Sequence, residues 1–435
     1  MRNIRLLVVP VLLPFVSACD EGRVESDLVW AVNVAGEAYQ GVDGTHYAAE
    51  ESVQGGVVGR MQAVKGSQDP TLYETFRTGD VRISRPIDNG SYDITFHFAE
   101  ADDLQGGQRV FDAFAEGRQV IDALDVMAFR DGKVLSALTV TTPDVVVSDG
   151  ELNIDFEASA GEPTLSALVV RNKARPQSEW QLVWHDEFNG EELDAEKWSP
   201  DIWAPRKVND EDQAYTDREK NIRIENGHLV IEAHREDYEG ARYTSGRIHT
   251  AGKGDFLYGR FEVRARLPRG QGSWPAIWML PSDPYRYSTT CEPGEDWQGS
   301  STCDAWPNSG EIDIMEHVGY QMGHVHGTVH NEAYYWAKWE QRKGRVLIDG
   351  VDKDFHVYVL EWSPDRIDMF VDDIHYFTYV NEGSGWRAWP YDHPFHLILN
   401  IAVGGVWGRA GGPIDESIFP QRMLVDYARI YRRID

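Results

Sequence analysis

Short apolar runs separated by glycine-containing turns recur along this chain and limit it to a narrow set of folds. Five such turn pairs divide residues 27–172: Asp43-Gly44, Asn89-Gly90, Gly106-Gly107, Asp131-Gly132 and Asp149-Gly150. Within 92–98 every second residue is aromatic or aliphatic, which buries one face. The 40 glycines, 15 tryptophans and 19 tyrosines also favour β structure over helical bundles. We therefore expect an all-β sandwich with very little helix.

The chain length points to two domains. At 435 residues the sequence is too long for one ordinary core. The stretch 173–178 is charged, contains a proline and has no periodicity, which is typical of a linker. We expect a first domain over 27–172 and a second over 179–435. Short strands recur in the second domain, for example in 229–233 and 259–265, and predict two stacked antiparallel sheets.

The N-terminus has the features of an export signal over residues 1–19. Arg2 and Arg5 form a basic start, an apolar stretch follows over 6–16, and small residues precede Cys19. The apolar stretch is too short to span a bilayer in the mature protein. The ending resembles a bacterial lipoprotein signal, in which the cysteine becomes the lipidated first residue. We expect an exported lipoprotein anchored to a cell-envelope membrane through Cys19; the alternative is cleavage and release.

The net charge argues against several classes of function. With 71 acidic and 42 basic residues, the formal charge of -29 repels phosphate backbones and anionic lipid surfaces, so nucleic acid is not an expected partner. The sequence shows no glycine-rich phosphate loop and no alternation of strands with helices, which argues against a nucleotide-dependent enzyme. A polyanionic polysaccharide is weakly disfavoured, whereas a neutral glycan raises no electrostatic difficulty.

Two cysteines remain after the signal segment. Cys291 and Cys303 lie in one segment rich in glycine, serine and aspartate. In an oxidising compartment this spacing favours a disulfide that closes a loop. A metal site is the alternative, but it needs further histidine or cysteine ligands that the segment lacks.

Three acids within six residues are the main candidates for chemistry. Glu311, Asp313 and Glu316 lie in the segment WPNSGEIDIMEH. In a regular strand Glu311 and Asp313 share a face, whereas Glu316 points to the opposite one. A β-bulge at Ile314 and Met315 returns Glu316 to the face of Glu311. Mutual repulsion and partial burial of the acids then raise at least one pKa.

This arrangement fits a retaining glycosidase, which needs a carboxylate nucleophile and an acid/base about 5–5.5 Å apart. In this scheme Glu311 attacks the anomeric carbon, Glu316 protonates the leaving oxygen and later activates water, and Asp313 hydrogen-bonds the nucleophile. The alternative is a solvated edge strand with its acids outward, which the bare spacing favours. Nearby tryptophans favour catalysis, because sugar rings stack on aromatic faces. They are Trp274, Trp278, Trp306, Trp336, Trp386, Trp389 and Trp407.

Several stretches of the second domain match one family pattern. They cover Trp180 to Tyr431 and include TSGRIHT, YGRFEVRARLPRGQGSWPAIWMLP, WPNSGEIDIMEHVG, HGTVH, FHLILNIAVGGVWG and FPQRMLVDYARIY. In this order they resemble glycoside hydrolase family 16, and within it the bacterial laminarinases, which are endo-β-1,3-glucanases. The resemblance implies a β-jelly roll and retaining chemistry, with Glu311 as nucleophile, Asp313 as its assistant and Glu316 as acid/base. Met315 matches laminarinases and is usually missing from lichenases, but agarases and carrageenases also carry it.

The resemblance also implies positions that bind substrate and metal. The cleft residues carried over are Asn209, Arg247, Trp274, Trp278, Trp306, His330 and Gln421. Ordinary packing or structural hydrogen bonding is the alternative for each. Many family members hold a structural calcium, whose ligand positions here are Glu187, Gly227 and Asp426; oxygen ligands suit this ion, but Asp426 pairing with lysine or arginine is the alternative. We expect no cofactor to be required for catalysis.

The first domain resembles the malectin family of carbohydrate-binding β-sandwiches. The matching stretches are VNVAGEAY, LYETFR, GSYDITFHFAE and GQRVFDAFAEG. Tyr39, Tyr47, Tyr73 and Phe98 are its candidate sugar-stacking aromatics, although alternation already explains Phe98 as a core residue. We expect this domain to bind glycan or act as a spacer, without chemistry of its own.

These features predict a membrane-anchored, monomeric hydrolase that cleaves β-1,3-glucan within the chain by double displacement. The alternatives are hydrolysis of a marine galactan or mixed-linkage glucan, and a glycan-binding lipoprotein without activity. The segment between Pro281 and Trp306 departs from the family pattern and lies just before the catalytic strand. We expect this segment to form a wall at one end of the cleft. Such a wall leaves two modes of action open, cleavage within the chain (endo) and cleavage from its end (exo).

Overall fold

The chain folds into two β-sandwich domains in the computed structural model, which describes residues 27–130, 132–173 and 180–434. The predicted signal segment, with Cys19, and most of the predicted linker lie outside the described residues. Among the residues that the structure describes, no helix combines the length and the apolar character needed to cross a membrane.

The first domain consists of short strands with two helical turns. Its strands are β1 (Leu28–Asn33), β2 (Tyr39–Gln40), β3 (His46–Tyr47), β4 (Val53–Arg60), β5 (Thr75–Pro86), β6 (Gly90–Phe98), β7 (Val110–Ala115), β8 (Arg118–Leu124), β9 (Leu138–Val147), β10 (Glu151–Ala160), β11 (Thr164–Leu165) and β12 (Ala167–Asn172). Its described helical turns are a 3-10 turn (Pro70–Tyr73) and α1 (Val126–Phe129).

The second domain has the same character. Its strands are β13 (Trp180–Asp186), β14 (Ser199–Pro200), β15 (Gln213–Tyr215), β16 (Ile222–Glu225), β17 (His228–Tyr238), β18 (Ala241–Ser245), β19 (Arg247–His249), β20 (Asp255–Phe256), β21 (Gly259–Arg266), β22 (Ser273–Pro281), β23 (Glu311–Glu316), β24 (His324–His330), β25 (Arg342–Leu347), β26 (His356–Trp362), β27 (Arg366–Val371), β28 (Ile374–Val380), β29 (Phe395–Val403) and β30 (Gln421–Arg433). Its helical turns are α2 (Ala305–Asn308), α3 (Gly405–Gly408) and two 3-10 turns, Trp336–Lys338 and Glu416–Ile418.

One sheet runs through both domains, and we call it the shared sheet. Its order is β1-β12-β6-β9-β25-β24-β23-β22-β29-β19-β14, with β20 also paired to β29. In the first domain a second sheet, β11-β5-β10-β7-β8 with β4 on β5, packs against it. In the second domain an outer sheet, β15-β18-β17-β30-β21-β26-β27-β28, takes that place, with β13 on β30 and β16 on β17. The predicted all-β architecture of two sandwiches with little helix is confirmed.

Alternation along the strands places the core of each domain between its sheets. In β21, Phe261, Val263 and Ala265 are buried against the shared sheet. Arg260 and Glu262 point outward and form an ion pair at 2.6 Å. The period of two therefore assigns side chains to the core or the surface, as the sequence pattern predicts.

The domains are joined through the middle of the shared sheet. β9 and β25 run parallel, with Thr141 opposite Val346. Beside this junction the Gln68 side chain accepts from the Val380 amide at 3.0 Å and donates to its carbonyl at 3.0 Å. Gln68 thereby bonds the edge of β28 much as another strand would.

Candidate active site

The three acids lie on β23, and a bulge in this strand sets their directions. Against β24, Asp313 pairs with Thr328 and Glu316 pairs with His326, so β23 uses one residue more than its neighbour. A matching irregularity occurs against β22, between Ile277 and Trp278 of that strand. The predicted β-bulge is therefore confirmed.

The bulge is held from the outer sheet. Ile314 and Met315 are both fully buried in the core of the second domain, so Glu316 returns to the face of the other two acids. Tyr376 of β28 reaches across the core and donates its hydroxyl to the Ile314 carbonyl at 2.7 Å. A glycine at 327 leaves room for this contact, because a Cβ there would lie 2.7 Å from the Tyr376 hydroxyl.

Glu311 lies between an indole donor and a second carboxyl. The Trp306 indole nitrogen donates to Glu311 Oε2 at 2.9 Å. Burial, and then the charges of Asp313 and Glu316, raise the pKa of Glu311 well above its usual value, while the indole bond acts in the opposite direction. The indole therefore favours the ionised carboxylate that a nucleophile needs.

Asp313 is the most enclosed of the three acids, with 2% of its surface exposed. Burial, and then the charge of Glu316, raise the pKa of Asp313 well above its usual value, and its carboxyl hydrogen-bonds that of Glu311. His330 Nε2 lies 3.4 Å from Asp313 Oδ2 and 3.9 Å from Glu311 Oε1. Burial lowers the pKa of His330, so the imidazole is neutral near pH 7. The two neighbouring carboxyls therefore titrate as a coupled pair.

Glu316 is held at the other end of the strand. The Trp274 indole nitrogen donates to Glu316 Oε1 at 3.1 Å, and the Trp274 ring contacts that of Trp407 edge to face at 5.5 Å. Glu316 is partly exposed, whereas His326 beside it is fully buried. The acid is thus oriented by one bond and stays accessible from the cleft.

The floor beside the acids is fixed by a chain of hydrogen bonds. The Trp278 indole nitrogen donates to Asn400 Oδ1 at 2.7 Å, and Asn400 donates to the Tyr215 hydroxyl at 3.0 Å. Tyr215 in turn donates to Glu211 at 3.2 Å. The motif-based prediction included Trp278 but not its three partners. Asn400 is the single amide in the apolar run FHLILNIAV, and this contrast was the available signal.

Arg247 is buried between two tryptophans. Its guanidinium carbon lies 4.2 Å from the centre of the Trp203 ring and 4.8 Å from that of Trp278. Its Nε donates to Asp201 Oδ2 at 2.7 Å, which fixes the planar group in place. Trp203 was not predicted, because the loop that carries it has no strand periodicity.

Comparisons with known proteins agree with this geometry. The model of glycosyl hydrolases family 16 matches residues 209–429, and that of the malectin domain matches 28–168. A β-glucanase of Rhodothermus marinus is 48% identical over 276 residues, which cover 62% of this chain and 91% of that protein. The chain belongs to glycosyl hydrolase family 16.

Further relatives lie in the same family. A glucan endo-1,3-beta-glucosidase of Cryptopygus antarcticus is 38% identical over 251 residues, which cover 55% of this chain and 85% of that protein. The X-ray structure of the Rhodothermus marinus laminarinase superposes with a TM-score of 0.54 at 46% identity, covering 60% of this chain and 100% of that one. The chain is therefore a glycoside hydrolase, and its second domain is the family 16 jelly roll.

Most of the predicted cleft residues lie around the acids. Arg247, Trp274, Trp278, Trp306 and His330 surround the acids as described. Asn209 is exposed on a loop, where its amide nitrogen donates to Glu211 at 3.3 Å. The Asn209 carbonyl accepts from the amide of Val406, a residue of α3. That loop borders the cleft, because α3 also carries Trp407, which contacts Trp274.

Gln421 lies outside the sheet that carries the acids. It begins β30 in the outer sheet, not in the shared sheet that carries the acids. Its side-chain oxygen accepts from the Arg269 amide at 2.9 Å, and its nitrogen donates to the Ile418 carbonyl. These bonds brace a loop, and the contact of Gln421 with substrate stays a prediction.

The predicted calcium ligands of the family do not fit a cation in this structure. Both Glu187 oxygens accept from Arg429, at 2.8 and 2.7 Å, and Asp426 accepts from Arg264. Two guanidinium groups thus occupy the carboxylates that a divalent ion requires. Gly227 has a left-handed φ of 75°, as expected of a turn between β16 and β17. No step of the chemistry passes through this position.

The segment before β23 closes through the predicted bond between Cys291 and Cys303, which confirms the disulfide. Lys207, on the loop that carries Trp203, pairs with Asp296 of this segment at 2.9 Å. Because Trp203 lies against Arg247 of β19, the segment is tied to the β19 end of the cleft.

The malectin domain keeps its candidate aromatics largely inside. Phe98 is fully buried in the core, as alternation predicts. Tyr47 and Tyr73 are also buried and line a cavity of about 130 Å³ between the domains, which Arg342 of β25 borders from the other side. These buried rings offer no exposed surface on which a sugar could stack. Sugar binding by this domain stays a prediction.

Proposed function

We propose that this family 16 enzyme hydrolyses β-1,3-glucan within the chain, with retention of configuration, by double displacement. The observation that carries the proposal is the bulge, which brings Glu316 to the face of Glu311 with Asp313 between them. In the first step Glu311 attacks the anomeric carbon while Glu316 protonates the leaving oxygen. In the second step Glu316 takes a proton from water, which attacks the covalent intermediate.

The surrounding residues support these roles. For Glu311 to attack, its carboxyl has to be ionised, and the Trp306 indole favours that state by bonding the Glu311 carboxylate. The Trp274 indole holds Glu316 beside the cleft. The substrate assignment is supported by relatives named as β-glucanase and glucan endo-1,3-beta-glucosidase, and by a laminarinase structure.

Azide rescue tests the two roles separately. With an activated aryl β-laminaribioside, Glu316→Ala should form the covalent intermediate and release a β-glycosyl azide when azide is added. Glu311→Ala should instead give an α-glycosyl azide, because azide then displaces the leaving group directly. For the unmodified enzyme, proton NMR of the first laminarin product should show the β-anomer. Unchanged turnover of laminarin by Glu311→Gln, or immediate α-anomer from the unmodified enzyme, would refute this mechanism.

Substrate choice is tested by a panel of polysaccharides. We expect laminarin to be cleaved with early release of mixed oligosaccharides, as internal cleavage requires. Lichenan, agarose and carrageenan serve as the competing substrates. Preferred cleavage of agarose or carrageenan would replace the glucan by a galactan, and binding without cleavage of any of the four would leave only a glycan-binding role.

We infer that the enzyme is exported and anchored to a membrane through Cys19. The support is the signal-like pattern of residues 1–19, which lie outside the described part of the chain. In cell fractionation the unmodified protein should sediment with membranes, whereas Cys19→Ala should remain soluble. Identical fractionation of both proteins would refute the anchor.

A further inference from the structure

The cleft floor consists of side chains in rows that cross the strands of the shared sheet. One row leads from Glu316 through His326 to Arg345, and a second leads from Asp313 through Thr328 to Lys343. Residues directly opposite one another on antiparallel strands project to the same face. Lys343 and Arg345 therefore belong to the floor, about 10 Å from the acid strand, since neighbouring strands are spaced about 4.8 Å apart.

The shared sheet continues past this point into the malectin domain. Thr141 of β9 lies opposite Val346 of β25, and Val346 is buried in the core on the side away from the cleft. Thr141 faces the same way, so its neighbour Val140 projects to the cleft side. Val140 is fully buried in the core of the malectin domain, beneath its second sheet. That second sheet thus stands on the cleft side of the shared sheet, directly beyond β25.

The malectin domain also touches the floor itself. Phe129, the last residue of α1, packs against the His324 ring at 5.0 Å and lies 4.0 Å from the guanidinium carbon of Arg345. Next to this contact Lys133 Nζ lies 4.3 Å from the centre of the Trp339 ring. α1 and the loop after it consequently rest on β24, β25 and the loop between them.

Two cleft side chains, those of Lys343 and Trp407, lie between the catalytic acids and this contact with the malectin domain. Lys343 Nζ lies 4.1 Å from the centre of the Trp407 ring, and that ring covers His326 edge to face at 5.1 Å. The indole offers an apolar surface and the ammonium offers hydrogen-bond donors, a combination that suits a sugar ring with its hydroxyls.

We propose that the malectin domain ends the substrate cleft at β25, so that Lys343 and Trp407 form the last subsite on that side and a longer glucan turns away from the sheet there. The inference rests on the glucanase activity proposed above. The floor from β23 to β25 has room for a mono- or disaccharide, and the chain beyond it makes no further contacts in the cleft. Internal cleavage remains feasible, because the glucan leaves the cleft upward over the wall.

Subsite mapping of the full-length enzyme tests this limit. Laminari-oligosaccharides from the trisaccharide to the octasaccharide, labelled at the reducing end, report both kcat/KM and the bond cleaved. We expect kcat/KM to increase with each unit added on one side of the bond, and to stop increasing after the second unit on the other side. Continued increase on both sides would overturn the inference but leave the glucanase function intact. Absence of any cleavage would overturn both.

Lys343→Met gives an independent readout. If Lys343 belongs to the last subsite, this variant should lose about ten-fold in kcat/KM on oligosaccharides that reach it and little on those that do not. Lys353→Met, at an exposed position in the loop before β26, serves as the matched control. An equal loss on all substrates would show that Lys343 acts on the catalytic acids and would overturn its role as a subsite.

Discussion

The charge of Glu311 depends on neighbours with opposing effects. Burial and the nearby carboxylates raise the pKa of Glu311, whereas the Trp306 indole donates to its carboxylate and lowers it. Because attack requires the ionised form, the low-pH limb of the kcat/KM profile reports this balance. Substitution of Asp313 and substitution of Trp306 should therefore move this low-pH limb in opposite directions.

Removal of the Asp313 charge should move the low-pH limb downward. In Asp313→Asn the repulsion that raises the pKa of Glu311 is lost, so Glu311 ionises at lower pH. We also expect kcat to fall by roughly 10²-fold, since an amide cannot exchange a proton with the nucleophile as the Asp313 carboxyl can. Measurement of kcat/KM from pH 3 to pH 9 checks the shift, and an unmoved limb would contradict the coupling.

The same variant should be more stable at neutral pH. Folding raises the pKa of Asp313 and Glu311 above their unfolded values, so the folded state binds their protons more tightly. Stability then falls as the pH rises from about 4 through the folded pKa values, because ionisation is disfavoured in the fold. Asp313→Asn removes part of this loss. Thermal melting across pH should show a higher midpoint for Asp313→Asn near pH 7 and little difference near pH 3.

Replacement of Trp306 by phenylalanine should move the low-pH limb upward. Trp306→Phe keeps an aromatic ring beside Glu311 but removes the indole donor, so the pKa of Glu311 rises. Trp386→Phe is the control, because Trp386 stacks on Tyr287 and makes no described hydrogen bond to an acid of β23. A shift of equal size in both variants would mean that the indole bond does not set the charge of Glu311.

The acid strand works only with its bulge, and the bulge depends on a residue of the opposite sheet. Ile314 and Met315 turn inward together, and the carbonyl of Ile314 accepts from Tyr376 inside the core. A buried carbonyl that loses such a donor costs about 1–3 kcal/mol. The orientation of Glu316 is therefore coupled to β28 across the sandwich.

Tyr376→Phe should lower both stability and activity. We expect a loss of about 1–3 kcal/mol in unfolding free energy and a drop in kcat, because the bulge loses its anchor. Tyr379→Phe is a matched control: Tyr379 also donates its buried hydroxyl to a carbonyl, that of Ala388, and makes no described hydrogen bond to β23. Urea denaturation and kcat on laminarin separate the cases. Loss of kcat by the same factor in both variants would remove the specific link between Tyr376 and the bulge.

A sheet passes through both domains, and we expect them to unfold together for this reason. Two contacts reinforce the pairing of β9 with β25. Gln68 of the first domain bonds Val380 of β28, and Lys65 Nζ lies 3.5 Å from Glu340 Oε1. An exposed linker alone would leave the domains free to move relative to each other. The strand pairing and the side-chain bonds across the junction instead favour joint unfolding.

Gln68→Ala should uncouple the domains. The variant loses both bonds to Val380, at about 1 kcal/mol each. Calorimetry should show one unfolding transition for the unmodified enzyme and a lower or divided transition for Gln68→Ala. Gln119→Ala is the control, since Gln119 bonds only Asp122 on an exposed hairpin among the described contacts. Equal midpoints in both variants would show that the junction does not need Gln68.

Local patterns carried much of the prediction. Alternation predicts the strands and the buried Phe98, and the odd spacing from Asp313 to Glu316 predicts a bulge if the three acids act together. Family motifs added the roles of the acids and the tryptophans that bond Glu311 and Glu316. The short sequence separation of Cys291 and Cys303, within one loop segment, was enough to predict their disulfide. All of these depend on residues close in sequence or on a period that every strand obeys.

Contacts between distant segments were decided only by the tertiary structure. The bond from Tyr376 to Ile314, the partners of Trp278, the arginines on Glu187 and Asp426, and the pairing of β9 with β25 all join segments far apart in the chain. A period of two tells which face a side chain takes, but the partner on that face depends on strand order and register. For that reason the place of Gln421 in the outer sheet and the position of the malectin domain beside β25 had no signature in the sequence.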